Sequence, residues 1–167
     1  IAVAIPAATE PPFLADFART AVAYGKLELA QRAGKPVPEG WAQDANGQPT
    51  TDAQAVRNGG ALLPLGSDRL HGSHKGYGLG AIVDIFSGVL SGANYGPWVP
   101  PFAPAGFMGA PEEVGIGLGH FFGAMRVDAF RPAEEFKAHM DTWVQRFRQA
   151  RAVPGERVLV PGDPERS

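Results

Sequence analysis

Apolar positions fall into a few short runs separated by turn-forming residues. The run Ile1 to Ala7 is closed by Pro6 and reads as a buried strand. After Pro11 and Pro12, Phe13-Leu14-Ala15 reads as a second extended piece. Phe17, Ala21, Tyr24 and Leu27 then recur at helical spacing, and Gly34 supplies a stop, which predicts a helix over 17–33. From Lys35 to Gly60 the chain is turn material, including Lys-Pro-Val-Pro-Glu-Gly-Trp and Asp-Ala-Asn-Gly. A loop of that length serves function or reaches a neighbour.

The clearest helix is expected over 76–92, where Leu79, Ile82, Val83, Phe86, Val89 and Leu90 share one face. Its other face is mostly small, so both faces are expected to be covered. The stretch 94–111 is loop again. Residues 115–127 lack a helical period and read as a strand, with glycines that allow close backbone approach. Pro132 suits the first position of a last helix reaching about Ala150, with Phe136, Met140, Trp143, Val144 and Phe147 as its apolar stripe. Arg157 to Val160 reads as a short strand. Loose alternation of strands and helices gives an α/β fold, a mixed layered sheet with helices rather than a regular βαβ series.

Composition narrows the function classes. A chain of 167 residues, 44% hydrophobic, has material for a core. A net charge of -2 without a basic run points to no nucleic acid and no anionic membrane surface. No apolar stretch reaches the roughly 18 residues of a membrane span. Cysteine is absent, so disulfides and thiolate chemistry are excluded. Gly and Pro together approach a quarter of the residues, but they are spread among apolar segments and read as tight loops.

Candidate chemistry centres on His71-Gly72-Ser73-His74-Lys75-Gly76-Tyr77-Gly78, just before the predicted 76–92 helix. Free N–H groups at a helix start, small residues and a lysine suit an anion such as a phosphate. A solvated glycine-rich turn is the alternative. Gly76, Gly78 and Ala81 have the spacing of a dinucleotide fingerprint, but a polar, charged stretch precedes them where that motif needs a hydrophobic strand. Asp16 reads either as the helix N-cap or as a carboxylate orienting a catalytic group. His120, inside an apolar stretch, reads as a core histidine, and His139 as solvated. No His/Asp/Glu set has metal-ligand spacing.

A series of motifs then resembles the type 2 malate/L-lactate dehydrogenases. Asp16-Phe17-Ala18-Arg19-Thr20 with Gly25-Lys26 is followed by Lys35-Pro36-Val37-Pro38-Glu39-Gly40-Trp41, Pro49-Thr50-Thr51-Asp52 and Leu62-Leu63-Pro64-Leu65-Gly66. Gly72-Ser73-His74-Lys75-Gly76-Tyr77-Gly78-Leu79, Leu90-Ser91-Gly92, Gly119-His120-Phe121-Phe122 and Arg157-Val158-Leu159-Val160-Pro161-Gly162 complete it. The resemblance implies the C-terminal half of a cytoplasmic enzyme using NAD or NADP in a non-Rossmann fold. It implies a small 2-oxo or 2-hydroxy acid substrate and a homodimer. His74, Lys75 and Gly76 would contact the nucleotide, and Asp16 would lie near the reacting centre. Residues 1–127 would form the cofactor-binding domain, and 128–167 would return to another domain.

Two departures bear on the cofactor. Arg19 stands where the family has a small residue, which puts it among the candidate cofactor-binding residues, and Ser67 to His71 resembles an insertion. The family's substrate motif and catalytic histidine have no counterpart in the chain, so the fragment alone is expected to be inactive. A non-catalytic nucleotide-binding or dimer-forming module is the competing reading. Apolar loop residues Trp41, Tyr95, Trp98, Phe102 and Phe107 suggest a partner surface that includes 94–111.

Overall fold

A computed structural model describes residues 1–99 and 114–166. The chain divides into two compact units: Ile1–Phe17 with Gly123–Ser167, and Ala18–Phe122. The expected boundary at 127 lies near the second crossing. The first 17 residues, however, group with the C-terminal segment and not with the rest of 1–127.

In the first unit, β1 (Ala2–Ile5) and β2 (Phe13–Asp16) form an antiparallel hairpin, with Ala2 opposite Asp16 and Ile5 opposite Phe13. Pro6, Pro11 and Pro12 lack the N–H that would extend the ladder, so pairing stops there. The hairpin is not buried as expected, since Val3 and Leu14 are exposed. The helix of this unit spans Ala133–Arg148 and has Pro132 as its N-cap, so it starts one residue later than expected. Glu134 and Glu135 occupy its first turn and Arg146 and Arg148 its last, matching the helix dipole. Val144 is its buried residue, and Trp143 meets Phe13 edge-on at 5.7 Å. Residues 157–160 form no strand; Val160 donates its N–H to the Asp163 carboxylate (2.9 Å).

Two ionic pins secure this unit. The Asp141 carboxylate accepts the N–H groups of Ala8, Thr9 and Glu10 at 3.0 to 3.1 Å, and the Thr9 hydroxyl at 2.6 Å. The Thr9 hydroxyl, followed by the backbone donors, pulls its pKa down to about 2. Arg148 bridges Glu10 (2.6 Å) and Asp163 (2.7 Å), and its hydrogen bonds hold Asp163 below the ordinary carboxylate range.

In the second unit, α1 covers Tyr24–Arg32, with Ala23 as N-cap, and is shorter than the expected 17–33. Residues 19–21 are instead extended: Leu65 donates to the Arg19 carbonyl (2.8 Å), Ala21 to that of Leu63 (2.8 Å), and Thr20 bridges Pro64. A tertiary partner thus overrides local helical spacing. Gly34, at φ 61°, ends the helix as expected. The stretch 35–60 is not a free loop. It contributes β3 (Ala42–Gln43) and β4 (Pro49–Thr50), and β5 (Ala61–Leu62) completes a small antiparallel sheet in the order β4-β3-β5. Val22, Leu27, Val37, Ala42, Ala53 and Val56 form its core, with Trp41 packed against them rather than offered to a partner.

The long helix α2 spans Ser73–Asp84 and continues as a π-turn over Ile85–Val89, slightly displaced from the expected 76–92. Its apolar face is open: Leu79, Ile82, Ile85, Phe86, Val89 and Leu90 are each at least 38% exposed. The segment from 115 to 126 belongs to no strand ladder and bends at 115–117, with Gly117 at φ 63°, correcting the strand assignment. Its glycines do make the close approach anticipated: a Cβ at Gly119 would strike the Ser87 carbonyl, and one at Gly115 the Ala93 carbonyl. Every strand pair among the described residues is antiparallel. The architecture is mixed α/β without a parallel βαβ ladder in those residues, in keeping with the non-Rossmann expectation.

Candidate functional site

The turn leading into α2 is built by three glycines. Gly72, the N-cap, sits at φ 89°, a left-handed conformation that costs other residues strain. Gly66 lies so close to this turn that a Cβ would fall 2.6 Å from the Gly72 carbonyl oxygen. Gly76 is buried, and a Cβ there would meet the Leu65 backbone, at 2.8 Å from its carbonyl carbon. The helix start is therefore pressed directly onto the Leu65–Gly66 backbone.

Two donors at this helix start are used internally: Ser73 N–H bonds the Asp68 carbonyl (2.9 Å) and Lys75 N–H the Gly72 carbonyl (3.0 Å). Asp68 also accepts the His71 N–H at 2.9 Å and contacts His71 Nδ1 at 2.7 Å. The backbone bond from His71, and then its ring, lower the Asp68 pKa. Ser67 ties the loop to the Gly40 carbonyl at 2.8 Å.

Beside this turn opens a cleft of about 610 Å³. Pro49, Leu63, Pro64 and Tyr77 give it apolar walls, while Gln43, Ser73, His74 and the 67–69 loop bring polar groups. That size and mixture suit a small organic ligand or one half of a dinucleotide.

Of the candidate site residues Asp16, Arg19, His74, Lys75 and Gly76, His74 alone lines the cleft. Lys75 is exposed in the adjacent position, with its side chain alongside Gly72 and no carboxylate partner among the described residues. Gly76 faces Leu65, so its side contributes packing. Arg19 reaches α2 from outside, donating to the Gly80 carbonyl (3.3 Å). Asp16 belongs to the other unit, as the exposed last residue of β2. It lies seven places before the α1 N-cap, so the capping reading is withdrawn. His120 is exposed rather than a core residue. Sequence reasoning missed Asp68 and Arg69 as lining residues; the only signal was that 67–71 resembled an insertion.

Comparison with known proteins sets the class and then the family. A family model described as malate/L-lactate dehydrogenase matches residues 1–167. The malate dehydrogenase of Pyrococcus horikoshii is 41% identical over 165 residues, covering 98% of this chain and 43% of that protein. A Δ1-pyrroline-2-carboxylate/Δ1-piperideine-2-carboxylate reductase of Pseudomonas putida is 43% identical over 95 residues, or 57% of this chain and 26% of the reductase. The crystal structure of malate dehydrogenase from Entamoeba histolytica superposes with a TM-score of 0.76 at 30% identity, covering 99% of this chain and 46% of that one. These are redox enzymes of small carboxylic acids. The chain belongs to the malate/L-lactate dehydrogenase family. It spans less than half the length of these relatives, and the expectation that it is their C-terminal half is not borne out by matches that establish only the family and the share covered.

Proposed function

We propose that this chain is part of an NAD(P)-dependent oxidoreductase that interconverts 2-oxo and 2-hydroxy acids of the malate/lactate type. The observation that carries this reading is the family match from residue 1 to 167, together with a cleft of nucleotide-accepting size at the His74-Lys75-Gly76 turn. The residues fit the cofactor: apolar walls for a flat ring, His74 and Ser73 as polar partners, and Lys75 exposed beside them for a phosphate. A bound nicotinamide supplies the hydride. The chain's own part is to hold one half of the dinucleotide in the cleft and keep charge near its phosphates. Asp16, free of any capping role, is assigned as the carboxylate that orients the proton-transferring group.

The test uses the longer protein that contains this sequence, assayed for NADH and NADPH oxidation with oxaloacetate, pyruvate and a cyclic imine carboxylate. Turnover of a 2-oxo acid is expected, whereas turnover of the imine alone would move the assignment to the reductases. Asp16→Asn should lower kcat more than it raises KM; unchanged turnover would make Asp16 an ordinary strand residue. The 167-residue chain by itself should be slower by at least 10²–10⁴-fold, the range for losing a general acid. A cytoplasmic homodimer completes the proposal, and the open apolar face of α2 supports its dimeric part.

A further inference from the structure

We propose that Arg69 reads the 2′-phosphate of the adenosine half of the cofactor, so that the cleft selects NADP(H) over NAD(H). The inference rests on the nicotinamide reading above. Asp68 and Arg69 are neighbours in the chain, and both line the same cleft. They embody opposite preferences. A carboxylate accepts the two ribose hydroxyls of NAD, whereas an arginine meets the extra phosphate of NADP.

Their surroundings decide between them. The Asp68 carboxylate is already engaged by the His71 N–H (2.9 Å) and ring (2.7 Å), both on one oxygen. His71 thus holds the carboxylate by Oδ1 and leaves only Oδ2 for the two hydroxyls of a ribose. The Arg69 guanidinium is exposed and has no carboxylate partner among the described residues, so its fork of donors is available. The Arg69 backbone is not adrift. The Gly72 N–H bonds its carbonyl at 3.4 Å, and the flanking loop is held by the Ser67–Gly40 and Ser73–Asp68 bonds. His74 and Ser73 line the same cleft and add polar groups beside the arginine, while Pro49, Leu63, Pro64 and Tyr77 offer apolar surface for the base.

Equilibrium titrations of the longer protein that contains this sequence with NADPH and NADH, followed by calorimetry, test this. NADPH is expected to bind at least about tenfold more tightly, the scale of a charge-assisted bidentate contact. Arg69→Ala should abolish the difference by weakening NADPH alone, and Arg69→Lys should recover only part of it. Because the side chain is exposed, circular dichroism of each variant should match the parent. Equal affinities in the parent, or an Arg69→Ala variant that changes neither nucleotide or both alike, overturns the role of Arg69 and leaves the nicotinamide reading standing. Binding of neither nucleotide overturns both.

Discussion

Asp141 shows how much one residue can hold. Its carboxylate collects three consecutive N–H groups and a hydroxyl from a loop 131 to 133 positions earlier. A carboxylate with a folded pKa of about 2, against about 3.9 in an unfolded chain, adds stability above pH 4 and loses it as pH falls toward 2. Asp163, lowered by Arg148, has the same sign. Acid unfolding followed by circular dichroism should therefore steepen between about pH 4 and 2, and Asp141→Asn should reduce that dependence. An identical acid profile for the variant would remove Asp141 from this role. Nothing local announces Asp141 in the sequence, because it is a polar helix residue whose partners come from the other end of the chain. The glycine-rich run 72–78 was legible as leading into a helix, although the helix begins at Ser73 and not at 76, because such a turn is written in a few adjacent residues. Asp16 was misjudged as a cap because propensity cannot foresee that 19–21 would pair with 63–65.

Among elements, α2 depends on backbone contact where a side chain would ordinarily intervene. Gly76→Ala would place a methyl group against the Leu65 backbone, which cannot swing aside as a side chain can. Overpacking of this kind costs about 1–3 kcal/mol or more, so the denaturant midpoint should fall. Gly78→Ala is the paired control. Nothing lies within 4 Å of its Cβ position, and replacing a helical glycine gains up to about 1 kcal/mol. Equal stability of the two variants would contradict the packing described. The hydrophobic period found α2 and the last helix because each carries a long stripe. It failed for 115–126, where closely spaced glycines serve packing onto Ser87 and Ala93 and no strand partner exists among the described residues.

At the scale of the molecule, the exposed face of α2 argues for a second copy. Six large apolar residues lie open there, an arrangement that monomers rarely tolerate. Light scattering at micromolar concentration should give a dimer, and Ile82→Glu should shift it toward monomer. A monomeric parent chain would count against the proposal. The interface expected over 94–111 stays a proposal, and 100–113, with Phe102 and Phe107, lie outside the described residues. The discontinuous pairing of residues 1–17 with 123–167 could not be read from sequence, because neither piece carries a marker of the other.

That discontinuity sets a timetable during synthesis. Unit two is one uninterrupted stretch, Ala18–Phe122, and can begin to fold as soon as it clears the ribosome. The loop of the hairpin before it cannot be anchored, because Asp141 and Arg148 have not yet been made. At about 5–20 residues per second, the hairpin waits on the order of 5–25 s for them. Through that interval the Ala8 to Glu10 amides are left to water, and the loop between β1 and β2 has no carboxylate to gather it.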